Sequence, residues 1–371
     1  MKGQANTMQV IVILILTIVV LFLFYQAVIT KFKVITGTEV SGEVSYYYGE
    51  IEGFENPEKF WEEIAEENFV WRKKWNTVLD WDFSKPEVKW FEGAKLNITE
   101  NCIDRHLATR GDKTAIIFEP NNPEDKAEHI SYRQLYERVN QFANVLKSKG
   151  VQKGDRVCIY VPMIPELAIS VLACARIGAV HSVVFAGFSS KALSTRINDC
   201  DCKMVITADG SYRGAKTIDL KGIVDEALEN CGCVETVLVA KRIQSNISMK
   251  SDRDKWLQPL LDNASDVCEA EIMNAEDPLF ILYTSGSTGE PKGIMHSHAS
   301  GLGYASLSVD YYDIKQKDVS YLHLANPILV ITAAKNSSSP LPLTYPTGQL
   351  LCFFKSGVIL IRIFRKHLSL P

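Results

Sequence analysis

The 371-residue chain is 46% hydrophobic and 23% charged, a balance that excludes a disordered polypeptide and supplies apolar material for more than one core. A formal net charge of -4 and a pI near 6.0 exclude a general nucleic-acid binder, because phosphate-backbone binding draws on a basic surface. Nine cysteines without compact spacing point to reduced thiols rather than a disulfide scaffold. Cys200, Cys202, Cys231 and Cys233 form two Cys-x-Cys pairs, but single-residue spacers fit zinc ligation poorly.

No residue between Met8 and Ile29 is charged, and the stretch reaches the ~20 apolar residues that a bilayer span requires. Lys31 and Lys33 follow it, while only Lys2 and the amino terminus precede it. The segment therefore predicts a single-pass membrane anchor with the folded region facing the cytosol. A mis-assembled N-terminus is the alternative, and the chain is then cytoplasmic.

Asn56-Pro57 reads as an N-cap with proline at the first helical position, and Trp61, Ile64, Ala65 and Phe69 follow at helical spacing. The tryptophans crowded between Trp61 and Trp90 predict a packed cap rather than a ligand platform. Ser131 and Gln134 form a capping box, and Leu135, Val139, Phe142 and Leu146 line one helical face that stops at Gly150. Strands are predicted at Arg156–Val161, Val180–Phe185, Lys203–Thr207 and Thr236–Ala240, with helices at Glu166–Ile177, Lys191–Asn198 and Gly222–Glu229 between them. Alternating strands and helices, the strands apolar on both faces, predict an α/β fold with a parallel sheet covered on both sides and ligands at the carboxyl ends of its strands. His181 on its apolar strand reads as a core histidine.

The apolar run Leu279–Leu282 leads into Tyr283-Thr284-Ser285-Gly286-Ser287-Thr288-Gly289-Glu290-Pro291-Lys292-Gly293. Glycines let a backbone approach an anion, hydroxyls donate to phosphate oxygens, and a lysine supplies a compact positive charge. A Walker A loop is excluded, because Pro291 separates Lys292 from Gly289 and Gly293 occupies the place of the magnesium-binding hydroxyl.

This loop resembles the phosphate-binding signature of the adenylate-forming enzymes. Trp90-Phe91-Glu92-Gly93-Ala94-Lys95-Leu96-Asn97 and Gly178-Ala179-Val180-His181-Ser182-Val183-Val184-Phe185 are similar to the short-chain acyl-CoA synthetases, the acetyl-CoA synthetase type in particular. The resemblance runs from about Glu55 to His298 and is gone beyond about Asp318. It implies a partial adenylate-forming-enzyme large domain, divided as an anchor over 1–34, a cap over 35–100, an incomplete AMP-binding domain over 101–318 and a divergent tail over 319–371. It implies ATP and Mg²⁺ at Thr284, Ser285, Gly286, Ser287, Thr288, Gly289 and Lys292, with Lys292 catalytic. Coenzyme A is expected at Arg213 and Lys216, on what reads as a strand-to-helix loop. The implied reaction is AMP-forming ligation of acetate or propionate to coenzyme A. The competing expectation is a truncated, non-catalytic membrane protein with at most nucleotide binding, since the segments that close the family's site beyond the loop are not found in the sequence.

Overall fold

The computed structural model describes residues 56–303 apart from 83, 86, 122, 123, 125, 214, 215 and 285–290, together with strands over 319–325, 328–334 and 358–362. Its centre is a seven-stranded sheet in the order Asp254–Trp256, Thr236–Ala240, Met204–Ala208, Arg156–Tyr160, Val180–Val183, Pro278–Thr284, Lys292–Ser297. The first six strands run parallel, and Lys292–Ser297 returns antiparallel to Pro278–Thr284. Val157, Ile159, Val205, Ile206, Val237, Leu238 and Val239 are fully buried along these strands, as a sheet sandwiched between helices demands.

The capping box forms as expected: Gln134 N donates to Ser131 Oγ at 3.2 Å and Ser131 N to Gln134 Oε1 at 2.9 Å, opening the helix Tyr132–Ser148. Leu135, Val139, Phe142 and Leu146 are all completely buried on its inner face. In the helix Pro165–Arg176 every residue except Glu166 is buried, which marks a core helix rather than an amphipathic one. Gly178 closes it at φ +72°, where a side chain would strain the backbone and meet Met273.

The expected membrane location is corrected here. Residues 8–29 lie outside the described residues, and among the described residues no helix is long and apolar enough to cross a membrane. Pro165–Arg176, buried at every residue but one, spans only 12 residues, or ~18 Å against a hydrocarbon thickness of ~30 Å.

Trp71 and Trp75 pack as expected, whereas Trp81 is 50% exposed. Trp71, Trp75 and Phe91 lie with ring centroids 5.0 to 5.5 Å apart, and Trp71 Nε1 donates to the Ala65 carbonyl at 2.9 Å. Asn97 joins this region to the sheet layer: its Nδ2 donates to the carbonyls of Ala175, Arg176 and Glu271 at 3.1, 3.2 and 2.9 Å. Arg176, 2% exposed, forks onto Asp104 at 2.9 and 3.1 Å.

A buried ionic cluster ties the far edge together. Lys221 Nζ lies 2.7 Å from both Asp225 and Asp254, and Arg253 bonds the same two carboxylates at 2.5 and 2.6 Å. A second, five-stranded sheet has the order Ile328–Ala334, Val319–Ala325, Val358–Arg362, Thr114–Glu119, Glu128–Ser131. Val358–Arg362 pairs parallel with both neighbours, so strands beyond residue 318, where the sequence offered no element, complete a sheet that begins at Thr114.

Candidate functional site

In a parallel sheet all amino ends lie on one edge and all carboxyl ends on the other. The two edges differ in how their cations are partnered. At the amino edge Lys153 pairs with Asp277 (2.8 Å), Arg156 with Asp201 (2.9 Å), Lys203 with Asp155 (3.4 Å) and Arg253 with Asp254 (2.6 Å). Arg213, Lys216, Arg242 and Lys292 gather at the carboxyl edge. Among the described residues none of these four is ion-paired with a carboxylate.

Lys292 reaches this edge because its strand is antiparallel: the first residue of a returning strand sits beside the last residue of the outgoing one. Thr284 and Lys292 are register partners, and Tyr283 faces Gly293. Both Thr284 and Lys292 are exposed. The predicted anion-binding residues Ser285, Gly286, Ser287, Thr288 and Gly289 lie outside the described residues, between these two fixed ends.

Arg213 and Lys216 do not stand on a strand-to-helix loop. Ser211–Arg213 and Lys216–Ile218 form a two-stranded hairpin in which Arg213 and Lys216 are register partners, both exposed. Directly before the hairpin, Asp209 is fully buried and accepts from the backbone N–H groups of Arg242, Ile243 and Ser245 at 2.7, 3.1 and 3.1 Å. That carboxylate ties the ends of two neighbouring strands. Arg242 then lies with its guanidinium 5.4 Å from the Phe118 ring and 5.7 Å from the Tyr212 ring, and it donates to Asn121 at 2.7 Å. Sequence reasoning missed both Asp209 as an anchor and Arg242 as an edge cation.

His181 is a core residue, as expected. Burial, helped by His298 nearby, lowers its imidazole to about 3, and burial lowers His298 to about 4. Cys200, Cys202, Cys231 and Cys233 are free thiols, and among the described residues no group of three or more His, Cys, Asp or Glu side chains could hold a metal ion.

Comparison with known proteins places these features. Residues 103–335 match the family model of the AMP-binding enzyme, and residues 52–102 match that of the acetyl-coenzyme A synthetase N-terminus. The chain is 52% identical over 266 residues to acetyl-coenzyme A synthetase of Halorhodospira halophila, covering 71% of this chain and 41% of that protein. It is 53% identical, with the same coverage, to acetyl-coenzyme A synthetase of Magnetococcus marinus and to acetyl-coenzyme A synthetase 2 of Pseudomonas aeruginosa. The chain thus spans about two fifths of the length of these curated relatives. In fold it is similar to acetoacetyl-CoA synthetase from Streptomyces lividans, with a TM-score of 0.69 at 22% identity over 83% of this chain and 44% of that one.

Proposed function

Because the chain belongs to the AMP-binding enzyme family, we propose that the carboxyl edge of its main sheet holds ATP, with Thr284 to Gly289 and Lys292 around the phosphates. The reaction served is AMP-forming ligation of a short carboxylate, acetate or propionate, to coenzyme A. The carboxylate oxygen attacks the α-phosphorus and the bond to pyrophosphate breaks. The thiol of coenzyme A then attacks the acyl carbon, AMP leaves, and a thioester forms. No nucleophilic side chain is needed, so the protein's part is positioning and charge stabilisation. Lys292 faces the departing pyrophosphate, and Arg213 and Lys216 hold the nucleotide phosphates of coenzyme A on the hairpin. Mg²⁺ supplies further neutralisation when ATP brings it on its own phosphates.

The observation that carries this reading is the contrast between edges. Cations at the amino edge are already neutralised, whereas Arg213, Lys216, Arg242 and Lys292 are left for an anion. The cap over 35–100 and the AMP-binding domain over 101–318 are proposed as its two parts, supported by family models that meet between residues 102 and 103. Calorimetric titration of the 371-residue chain with ATP and with AMP tests the placement. Lys292→Ala should weaken ATP binding about tenfold, the worth of one charge-assisted hydrogen bond, and AMP binding less than about threefold. Equal losses for both nucleotides would sink it.

A second reading, nucleotide binding without turnover, is favoured by the edge strand Lys292–Ser297. There Ile294 and Met295 are 44% and 61% exposed, an apolar surface of the kind another element normally covers. Acetate-dependent exchange of labelled pyrophosphate into ATP separates the readings, since only the ligase carries it out.

A further inference from the structure

The two arms that flank the phosphate loop are held by one helix. Ser190–Cys200 begins at Ser189, whose side chain caps it by accepting from Ala192 N, and it packs across the face of the sheet that carries Tyr283. The Tyr283 hydroxyl donates to Asp199 Oδ2 at 2.5 Å and lies 3.0 Å from Cys200 Sγ. Arg196 places its guanidinium 5.3 Å from the Tyr283 ring and 4.8 Å from the Phe188 ring. On the returning arm, a Cβ added at Gly293 would stand 3.3 Å from Asp199 Oδ2, 3.3 Å from the Tyr283 ring and 3.2 Å from Ile281. Tyr283 and Gly293 are register partners, so the carboxylate that holds Tyr283 on one arm lies where a side chain at Gly293 would begin on the other, one residue away from Thr284 and Lys292.

We propose that Asp199 and Tyr283 are positioning residues, a clamp through which the helix Ser190–Cys200 fixes where the phosphate loop leaves the sheet and where Lys292 re-enters it. The proposal rests on the ATP-binding reading for its purpose, but the clamp itself is a property of the free protein. Tyr283 is buried and Asp199 stands at the surface, and a pair that merely satisfied the phenol would sit anywhere along the helix. This one sits beside the register pair from which both ends of the loop depart, and Gly293 leaves room for it. Burial and the adjoining Asp199 carboxylate push the Tyr283 phenol well above its ordinary range, so the hydroxyl stays a donor at every working pH. Holding the hinge points of a loop is how a rigid scaffold keeps a phosphate contact within a fraction of an ångström.

The test is hydrogen–deuterium exchange on the full chain, comparing Tyr283→Phe, Asp199→Ala and Asp199→Asn with the parent. Exchange across residues 284–294 should accelerate about tenfold in Tyr283→Phe and Asp199→Ala, the loss of one charge-assisted bond. Asp199→Asn keeps an acceptor and should lie between these variants and the parent. Peptides from Met204–Ala208 should be unchanged. An unaltered loop in Tyr283→Phe, or equal acceleration across the whole sheet, overturns the clamp. ATP titration of the same variants then reports the purpose: about tenfold weaker ATP binding in Tyr283→Phe with AMP nearly unaffected. A parent chain that binds no ATP would instead refute the phosphate-loop reading, and the exchange result would still decide the clamp.

Discussion

Replacing Lys221 with methionine removes the charge at the centre of the buried ionic cluster while keeping the apolar stem. Lys221 is 1% exposed, and its Nζ lies 2.7 Å from Asp225, 2.7 Å from Asp254 and 3.1 Å from the Ser248 carbonyl. Deleting one partner of a buried pair costs ~3–5 kcal/mol, because the remaining charge is stranded without its counter-ion. Two features pull the value to the lower end. Arg253 still bonds both carboxylates, and the Asp225 side chain is 24% exposed and can recover some hydration. The expected loss is therefore about 3 kcal/mol, or a fall in Tm of roughly 6–12 °C for a body of this size. Urea titration followed by far-ultraviolet circular dichroism reads it as a lower midpoint at unchanged slope. Adding Asp254→Asn should restore about 1 kcal/mol or more, since the stranded charge is then gone. A loss below about 1 kcal/mol in the single variant would mean that water reaches the cluster, and the reasoning from burial would fail.

Asp209→Ala leaves three backbone donors without their acceptor and releases the loop bearing Arg242; stability should drop about 3 kcal/mol and coenzyme A affinity about tenfold, with Asp209→Asn intermediate in both. Unchanged coenzyme A titrations in Asp209→Ala would separate that loop from the ligand. The pH response follows from His181 and His298, held by burial at about 3 and about 4 against ~6.5 in the unfolded chain. Lowered imidazoles mean that the unfolded state takes up protons first, so stability is level above pH 7 and falls as pH drops from about 6.5 towards 4, each histidine contributing up to ~1.4 kcal/mol per pH unit. Asp277 opposes and Lys153 supports the shift at His298, both lying against it from the amino edge. Urea midpoints at pH 7.5, 6 and 5 should slope less in His298→Leu than in the parent, and parallel slopes would count against the burial argument.

Most of the central sheet was legible because periodicity and punctuation agreed there. Ser131 and Gln134 announced a helix, Gly178 ended another, and the fully apolar strands could only belong to a sheet covered twice. Boundaries slipped by a residue or two where caps were overlooked, as at Asp219, whose side chain accepts from Gly222 N and starts the helix at Leu220 rather than Gly222. The hairpin under Arg213 and Lys216 was hidden because three-residue strands carry almost no periodic signal. Asp209 and Asp199 were invisible for a different reason. An aspartate that anchors its surroundings looks like any other aspartate until the backbone amides or the phenol that it serves are brought to it by residues 33 and 84 positions away. Of the strands beyond residue 318, Val358–Arg362 pairs with Thr114–Glu119, a long-range contact that local pattern cannot encode.

The whole-chain charge of -4 conceals a polarised sheet. Helices in a parallel α/β layer begin near the carboxyl edge and end near the amino edge, so their dipoles point positive ends at the first and negative ends at the second. Side chains follow the same division. At the amino edge Asp155, Asp201, Asp254 and Asp277 hold four cations, which are neutralised before any ligand arrives. At the carboxyl edge the buried Asp209 is occupied by backbone amides, so it does not compete for Arg213, Lys216, Arg242 or Lys292. An acidic residue near an anion site would ordinarily weaken it; here it is committed to holding a loop in place, and the cations remain for phosphate.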